Sequence, residues 1–587
     1  MLWKIVFVAF FVVTSVTAQN ARTPQLLDAT ASTPSGQPVL ATRGDLSALA
    51  FVDGSPSAGQ SVKVAISDAR GIDWAVPIRI DSDFGQSSKF LKNTSIRILQ
   101  SHIYVAWADE RHGNQEIYFN CSYDAGATWV GERRMNPGFA LGQATVKDWS
   151  MEVEPDELNL NESLYFAFAT RRPGSTESSL YFIASHDNAV SFSNPIHLPR
   201  GFAEGLNDIQ NVIVAGYAYG PIVYIAWQDN RNLGGAQYDV WFQVSQDGGQ
   251  TWNSADQQLN GVDGAANDLL SMSISGSRAL VAWTDSRIHP QFRELRICWT
   301  GDFGLSWEEF DKKLGEAAIG TADVSDIFVM LNRQNRTVAW IDDRSGVPEV
   351  YIAANPPLST TPWTEYLLSD TGASVLENTG HRKQMAVGWQ DLSNPSQVKL
   401  ALSRDAGQTW SHDSVRLSDP TTSAFGAQIE YTKLQHNFFA AWVSPNPQTG
   451  TGRVWVGGAR HQTLTPLGTF QQGAPIGFAV ENFPDYDSGW PFAVLVSGGS
   501  GHALLPAFDR RDTGLANDGY LAQSYSLIPG PLSGVIDDNG NGMTATLSLP
   551  SSIPAFTRLY CMAVSWDTAF GDVLGASTDP VSFVVIP

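Results

Sequence analysis

One short pattern recurs eight times along this chain, and it limits the possible folds more than any other feature. Two small or apolar residues are followed by an aromatic: Leu49-Ala50-Phe51, Val105-Ala106-Trp107, Phe166-Ala167-Phe168, Ile225-Ala226-Trp227, Val281-Ala282-Trp283, Val338-Ala339-Trp340, Val387-Gly388-Trp389 and Ala440-Ala441-Trp442. Successive aromatics lie 49 to 61 residues apart. Alternating segments such as Asp239 to Val244 and Ile209 to Ala215 read as strands around this mark. Each unit is predicted to form a four-stranded antiparallel sheet. Such a sheet cannot bury both faces alone, so neighbours must stack in a closed ring. The expected fold class is all-β: a β-propeller over residues 37–472, with eight repeat units and therefore seven or eight blades. Seven applies if the end units share a blade where the ring closes.

A second mark follows the first in most units. Good copies are Ser122-Tyr123-Asp124-Ala125-Gly126-Ala127-Thr128-Trp129, then Ser245 to Trp252 around Asp247, Thr300 to Trp307 around Asp302, and Ser403 to Trp410 around Asp405. Ser185 to Phe192, around Asp187, is weaker. Ser67 to Trp74 shifts its acid to Asp68, and residues 354–363 have lost the pattern. The Asp accepts backbone N–H groups and caps a hairpin turn, the Gly supplies a left-handed residue, and the Trp anchors the next strand. These aspartates are structural by this reading. An Asp-box of this kind in a repeat-built propeller closely resembles the sialidase superfamily, over roughly residues 37–472. That superfamily holds exo-sialidases, other glycan-active enzymes and binding proteins without catalysis, so the resemblance implies a fold far better than a reaction.

Two further motifs repeat. Asp-x-Arg follows the aromatic, giving Arg111, Arg231, Arg287 and Arg344; unit 3 keeps Arg172, and unit 7 keeps Asp391. Where each unit's first strand begins lie Asp148, Asp208, Asp268 and Asp326, with Asn93 and Asn378 in units 2 and 7. Propeller topology places both motifs on the face opposite the boxes, the aspartates at the channel mouth and the arginines further out. A nearby acid in each unit, Glu116, Asp239, Glu294 or Glu349, predicts a repeated ion-pair cluster that stabilises the loops. The functional alternative is a ring that binds a cation, or arginines that clamp a ligand carboxylate.

A sialidase uses three arginines for the substrate carboxylate, a Tyr nucleophile assisted by Glu, and an Asp acid/base. The superfamily's early aromatic-Arg-Ile-Pro segment is missing, since Val76-Pro77-Ile78-Arg79 does not match it. Sialidases usually have six blades, against eight units here. No catalytic residue carries over; Tyr217, Tyr219 and Glu204 are of the right types, without evidence of pairing.

The formal charge of −22 excludes a basic nucleic-acid footprint. Lys4, the apolar run Ile5–Val13 and the small residues Val16-Thr17-Ala18 read as a signal peptide over 1–18. Residues 19–36 are expected to form an N-terminal extension. Export places the mature protein outside the cell or on its surface, without a membrane span. Three cysteines, Cys121, Cys298 and Cys561, are expected to be buried and unbridged. From about Gly473 the repeat stops, and 473–587 reads as a small β-sandwich weakly similar to C-terminal modules of secreted bacterial proteins. Its loop Asp537-Asp538-Asn539 has the acids for Ca²⁺ but lacks the other ligands of a calcium loop, so a plain turn is expected. No cofactor or metal site is assigned. The leading expectation is a monomeric glycan-binding or scaffold propeller without hydrolysis. The alternatives are a sialidase-type glycoside hydrolase working on the box-free face, and a protein-binding or adhesive surface protein.

Overall fold

The computed structural model describes residues 24–586 apart from short stretches, the longest of which are 28–36, 83–91, 356–362 and 500–514. The leader at 1–18, most of the extension at 19–36, Glu204, Tyr219 and the side chains of Asp268 and Asn378 lie outside the described residues.

Residues 21–459 form one compact unit. It is a β-propeller of eight four-stranded antiparallel sheets. Blades 1 to 7 span 39–79, 92–134, 145–197, 209–258, 266–313, 324–367 and 373–416. Blade 8 takes three strands from 425–460, and its fourth is Gln25–Leu26, paired with Val456 and Trp455. That strand comes from the segment read as an extension ahead of the repeat. The first strands of consecutive blades touch all the way round, blade 8 to blade 1 included. The choice between seven and eight is therefore eight, closed by a strand from the N-terminal side.

The recurring aromatic explains the stacking. It lies in the second strand of each blade, a strand buried along nearly its whole length on both sides. Alternate residues of a strand point to opposite faces. In blade 5, Ala279, Val281 and Trp283 pack toward blade 4, while Leu280 and Ala282 pack toward blade 6. Eight such apolar clusters occupy the eight junctions between blades. Trp107, Trp227, Trp283, Trp340, Trp389 and Trp442 are among the largest fully buried side chains of the chain.

The box turns do what their residues suggest. Asp124 accepts from Thr128 N and Thr128 Oγ1, both at 2.7 Å, and Ser122 Oγ accepts from Gly126 N at 2.8 Å. Asp187, Asp247, Asp302 and Asp405 repeat the arrangement. These bonds hold the Asp124 carboxyl below the usual carboxylate range. The box also fastens each blade to the one before it. Gly249 is left-handed at φ +88°, and a Cβ there would lie 2.2 Å from the Phe182 ring of blade 3. Trp252 meets the same ring edge-on at 5.0 Å, and Trp307 meets Phe242 the same way.

Arg460–Pro587 belong to a second compact unit. One sheet contains Thr463–Gly468, Pro475–Glu481, Gly542–Met543 and Leu547–Ser548. The other contains Ser533–Val535, Pro491–Ser497, Arg558–Asp567, Val573–Ser577 and Val581–Val584. Ile476 and Phe478 of the first sheet share one apolar cluster with Val494 and Leu559 of the second. A helix, Gly519–Ser526, adds to them; no helical pattern in the sequence announces it. In the acidic loop Asp537 accepts from Asn541 N at 2.8 Å, which makes it part of its own turn. Cys121, Cys298 and Cys561 are buried and unbridged, and burial pushes the Cys298 thiol up to about 12.

Candidate functional site

The box loops and the hairpin between strands one and two share one face of the propeller. Ala125 N donates to Ser101 O and Phe303 N to Ser277 O, both at 2.8 Å. The loop between strands two and three and the links between blades open on the opposite, box-free face.

Each repeated arginine stands at the edge of that face in the same arrangement. The Asp two residues earlier, which ends the second strand in blades 2, 4 and 6 and lies within it in blade 5, accepts from the arginine's backbone N–H and guanidinium: Asp109 for Arg111, Asp229 for Arg231, Asp285 for Arg287, Asp342 for Arg344. A second acid reaches in from the outer edge of the sheet. Glu132, Asp256 and Glu365 each bond their arginine at 2.5 Å, and Asp311 bonds Arg287 at 2.6 Å. An aromatic of the third strand lies under three of the guanidinium groups, at 4.2 Å for Tyr118 and 3.9 Å for Trp241 and Tyr351. In blade 5 that position is Arg296, which pairs with Asp311 and Glu294. In blade 7 it is Lys399, which bonds Asp391 at 2.6 Å and stands in for the missing arginine. Asp391 is pushed up by burial, but hydrogen bonds from Lys399, Ser393 and Thr371 outweigh this and bring it down to about 2.

The expected partners were different. Glu116, Asp239 and Glu294 hold the link to the next blade, accepting from Gly142 N, Gly264 N and Gly320 N at 3.2, 2.6 and 3.2 Å. Each of those glycines has φ +69°, a left-handed corner that favours glycine. Glu349 accepts from the Tyr351 hydroxyl at 3.0 Å. The true partners left a readable trace, an acid two to four residues beyond the box aromatic, as in Trp129 to Glu132 and Trp252 to Asp256.

Of the four aspartates at the starts of the first strands, the three whose side chains are described do not share one register. Asp148 and Asp326 occupy the same register, just after a bulge and opposite the residue that follows the aromatic. Asp148 accepts from Trp149 N at 2.9 Å and from Val212 N of blade 4 at 2.6 Å, tying two inner strands together, and its burial raises its pKa. Asp326 accepts from Ile327 N at 2.9 Å. Asp208 lies ahead of its strand and corresponds to Asp323, because both donate their backbone N–H to the residue after the Asp of Asp-x-Arg, at 2.7 Å to Asn230 and Asp343. Counting back from the aromatic misaligns them because the hairpins differ in length.

Acids on the inner strands gather instead. Arg97 of blade 2 pairs with Glu152 of blade 3 at 3.3 Å, and Glu154 and Glu430 also act on it. In blade 7 the Glu377 carboxyl is pushed up to about 8, by burial first and then by Glu430 and Asp326, against a hydrogen bond from Gln428. An unfolded Glu titrates near 4.5, so the folded chain holds an extra proton between these values. Stability therefore falls as pH rises through that window, and the penalty is absent below it. Glu377→Gln is expected to raise the melting temperature more at about pH 8.5 than at about pH 5. Calorimetry at the two values checks this, and equal shifts would remove the carboxyl as the cause.

Blade 3 breaks the arginine pattern. Its second strand ends in Thr170-Arg171, followed by Arg172. Lys147 and Arg171 share Asp208, which also accepts from the Tyr238 hydroxyl at 2.8 Å and the Ser178 hydroxyl at 3.3 Å. Burial pushes the Asp208 carboxyl up, but the Lys147 and Tyr238 hydrogen bonds outweigh it and keep it below the usual range. The Arg171 side chain is 37% exposed, against 1% for Arg231, and Arg172 is exposed. Two cations thus share one aspartate, with Arg172 next in the chain, on a box-free face whose four repeated arginines are each held by two acids.

A Tyr–Glu contact exists elsewhere. The Tyr104 hydroxyl donates to Glu162 at 2.5 Å, with His102 Nδ1 at 3.1 Å from the same carboxylate. Both residues are buried, at 0% and 2% exposure, near the box loops. Tyr217 also lies on the box side, in the hairpin between the first two strands of blade 4 and close to Gly276. Neither is placed to attack a ligand on the box-free face.

No family model and no curated protein matches the chain. Solved structures similar to it include a Hadza microbial sialidase, at 15% identity over 58% of this chain and 72% of that one, with a TM-score of 0.34. The β-propeller domain of the Trilobed protease from Pyrococcus furiosus matches at 9% identity over 66% and 99%, TM-score 0.37. A Penicillium chrysogenum α-L-arabinanase matches at 13% identity over 52% and 91%, TM-score 0.31. Likenesses this distant transfer no activity to the chain.

Proposed function

We propose that this chain is an exported, sialidase-like Asp-box propeller that binds a glycan on its box-free face without hydrolysing it. One observation carries the reading: the four repeated arginines are each committed to two carboxylates, and the break in that pattern is the exposed cationic corner of Lys147, Arg171 and Arg172. A guanidinium already held by two acids has little left to offer a ligand carboxylate. Lys147 and Arg171 share the single carboxylate of Asp208, and Arg171 and Arg172 are more exposed than Arg231, so an anionic group of a glycan is the ligand this corner suits. Export rests on the leader, and a C-terminal β-sandwich fits the two sheets that share a core, the first of whose strands, Thr463–Gly468, lies ahead of 473.

The reading predicts no turnover of a fluorogenic sialoside or of a panel of other glycosides by the purified mature protein. Turnover abolished by substituting one box-free-face Arg or Asp would make the protein a glycoside hydrolase. A protein-binding surface has one observation in its favour: exposed apolar side chains on loops of the box-free face, among them Leu206, Leu233, Ile288 and Leu392.

A further inference from the structure

The C-terminal unit holds a cavity of about 140 Å³ between its two sheets and the helix Gly519–Ser526. Ile476, Phe478, Leu532 and Leu559 line it, and all four belong to the buried apolar cluster of that unit. Gln523 and Ser552, both exposed, stand where it meets solvent. The cavity is half open to solvent rather than sealed. Its floor is apolar, so water there finds few polar partners. The Ser524 hydroxyl on the wall is engaged already, accepting from Val496 N at 3.0 Å and donating to Leu521 O at 2.9 Å. An apolar hole of roughly 150 Å³ takes a benzene-sized guest.

We propose that this cavity binds the apolar end of a small amphiphile, a group of about six carbons, with its polar head left at Gln523 and Ser552. The apolar floor supplies the affinity, and the polar mouth sets the orientation. The site is independent of glycan binding by the propeller, so either can fail alone.

The test is saturation-transfer NMR on the full chain with 1-butanol, 1-hexanol and benzyl alcohol. Two variants accompany it: Leu547→Phe fills the cavity, and Ser552→Trp obstructs its mouth at an exposed position. Saturable binding is expected for 1-hexanol or benzyl alcohol, which tells an alkyl guest from an aryl one. Affinity should fall about tenfold from hexanol to butanol and be lost in both variants. No saturable binding by any probe, or equal binding by wild type and Ser552→Trp, overturns the proposal.

Discussion

Arg231→Leu is expected to destabilise the propeller by about 3–5 kcal/mol, the usual cost of stripping one partner from a buried ion pair. The Arg231 side chain is 1% exposed, and its carboxylate partners Asp229 and Asp256 are 0% and 2% exposed. Removing it leaves both acids without their cation and empties the space over the Trp241 ring. Arg231→Lys should recover part of the loss, because an ammonium keeps the charge but cannot fork between two carboxylates. Neutralising the site as a whole, with Asp229→Asn and Asp256→Asn beside Arg231→Met, should be milder than the single change, since no charge is then stranded. Urea unfolding of the propeller measures all three. A fully stable Arg231→Leu protein that has lost its ligand would make the arginine a ligand clamp.

Trp283→Ala should cost about as much, roughly 3–5 kcal/mol, by a different mechanism. The indole has 0% exposure and fills the junction of blades 4 and 5 against Tyr224, Ala226 and Phe242. Truncation loses its burial and leaves a cavity that close-packed strands cannot collapse into. Val76→Ala is the control: Val76 is 80% exposed, and its change should stay within about 0.5 kcal/mol. If the two variants unfold alike, the repeated aromatic is not what holds neighbouring blades together.

Much of the fold could be read in advance because it repeats. A second strand buried on both sides must be apolar at nearly every position, and that is what makes Val281-Ala282-Trp283 stand out eight times over. The box was equally legible, since a turn that needs an acid, a left-handed residue and a hydroxyl tolerates few substitutes. The closing strand was not, because Gln25–Leu26 is two residues long and belongs to no repeat. The arginine partners were missed for a topological reason: Asp256 is 25 residues from Arg231 along the chain, beyond the third strand and the box turn, and reaches it only when the sheet has formed. The blade 3 cluster was visible only as a gap, the Asp-x-Arg reduced to Arg172. Its meaning depended on Lys147 and Tyr238 meeting at Asp208, which no local pattern encodes. The acids of the inner strands, Glu152, Glu377 and Glu430, come together only when the ring closes.

The most direct test of glycan binding at blade 3 is a glycan array probed with the full mature chain and with a Lys147→Ala/Arg172→Ala variant. The account predicts that the wild type retains glycans bearing carboxylate or sulfate groups and that the variant loses them while remaining folded. No glycan retained by the wild type, or the same glycans retained equally by the variant, would contradict it.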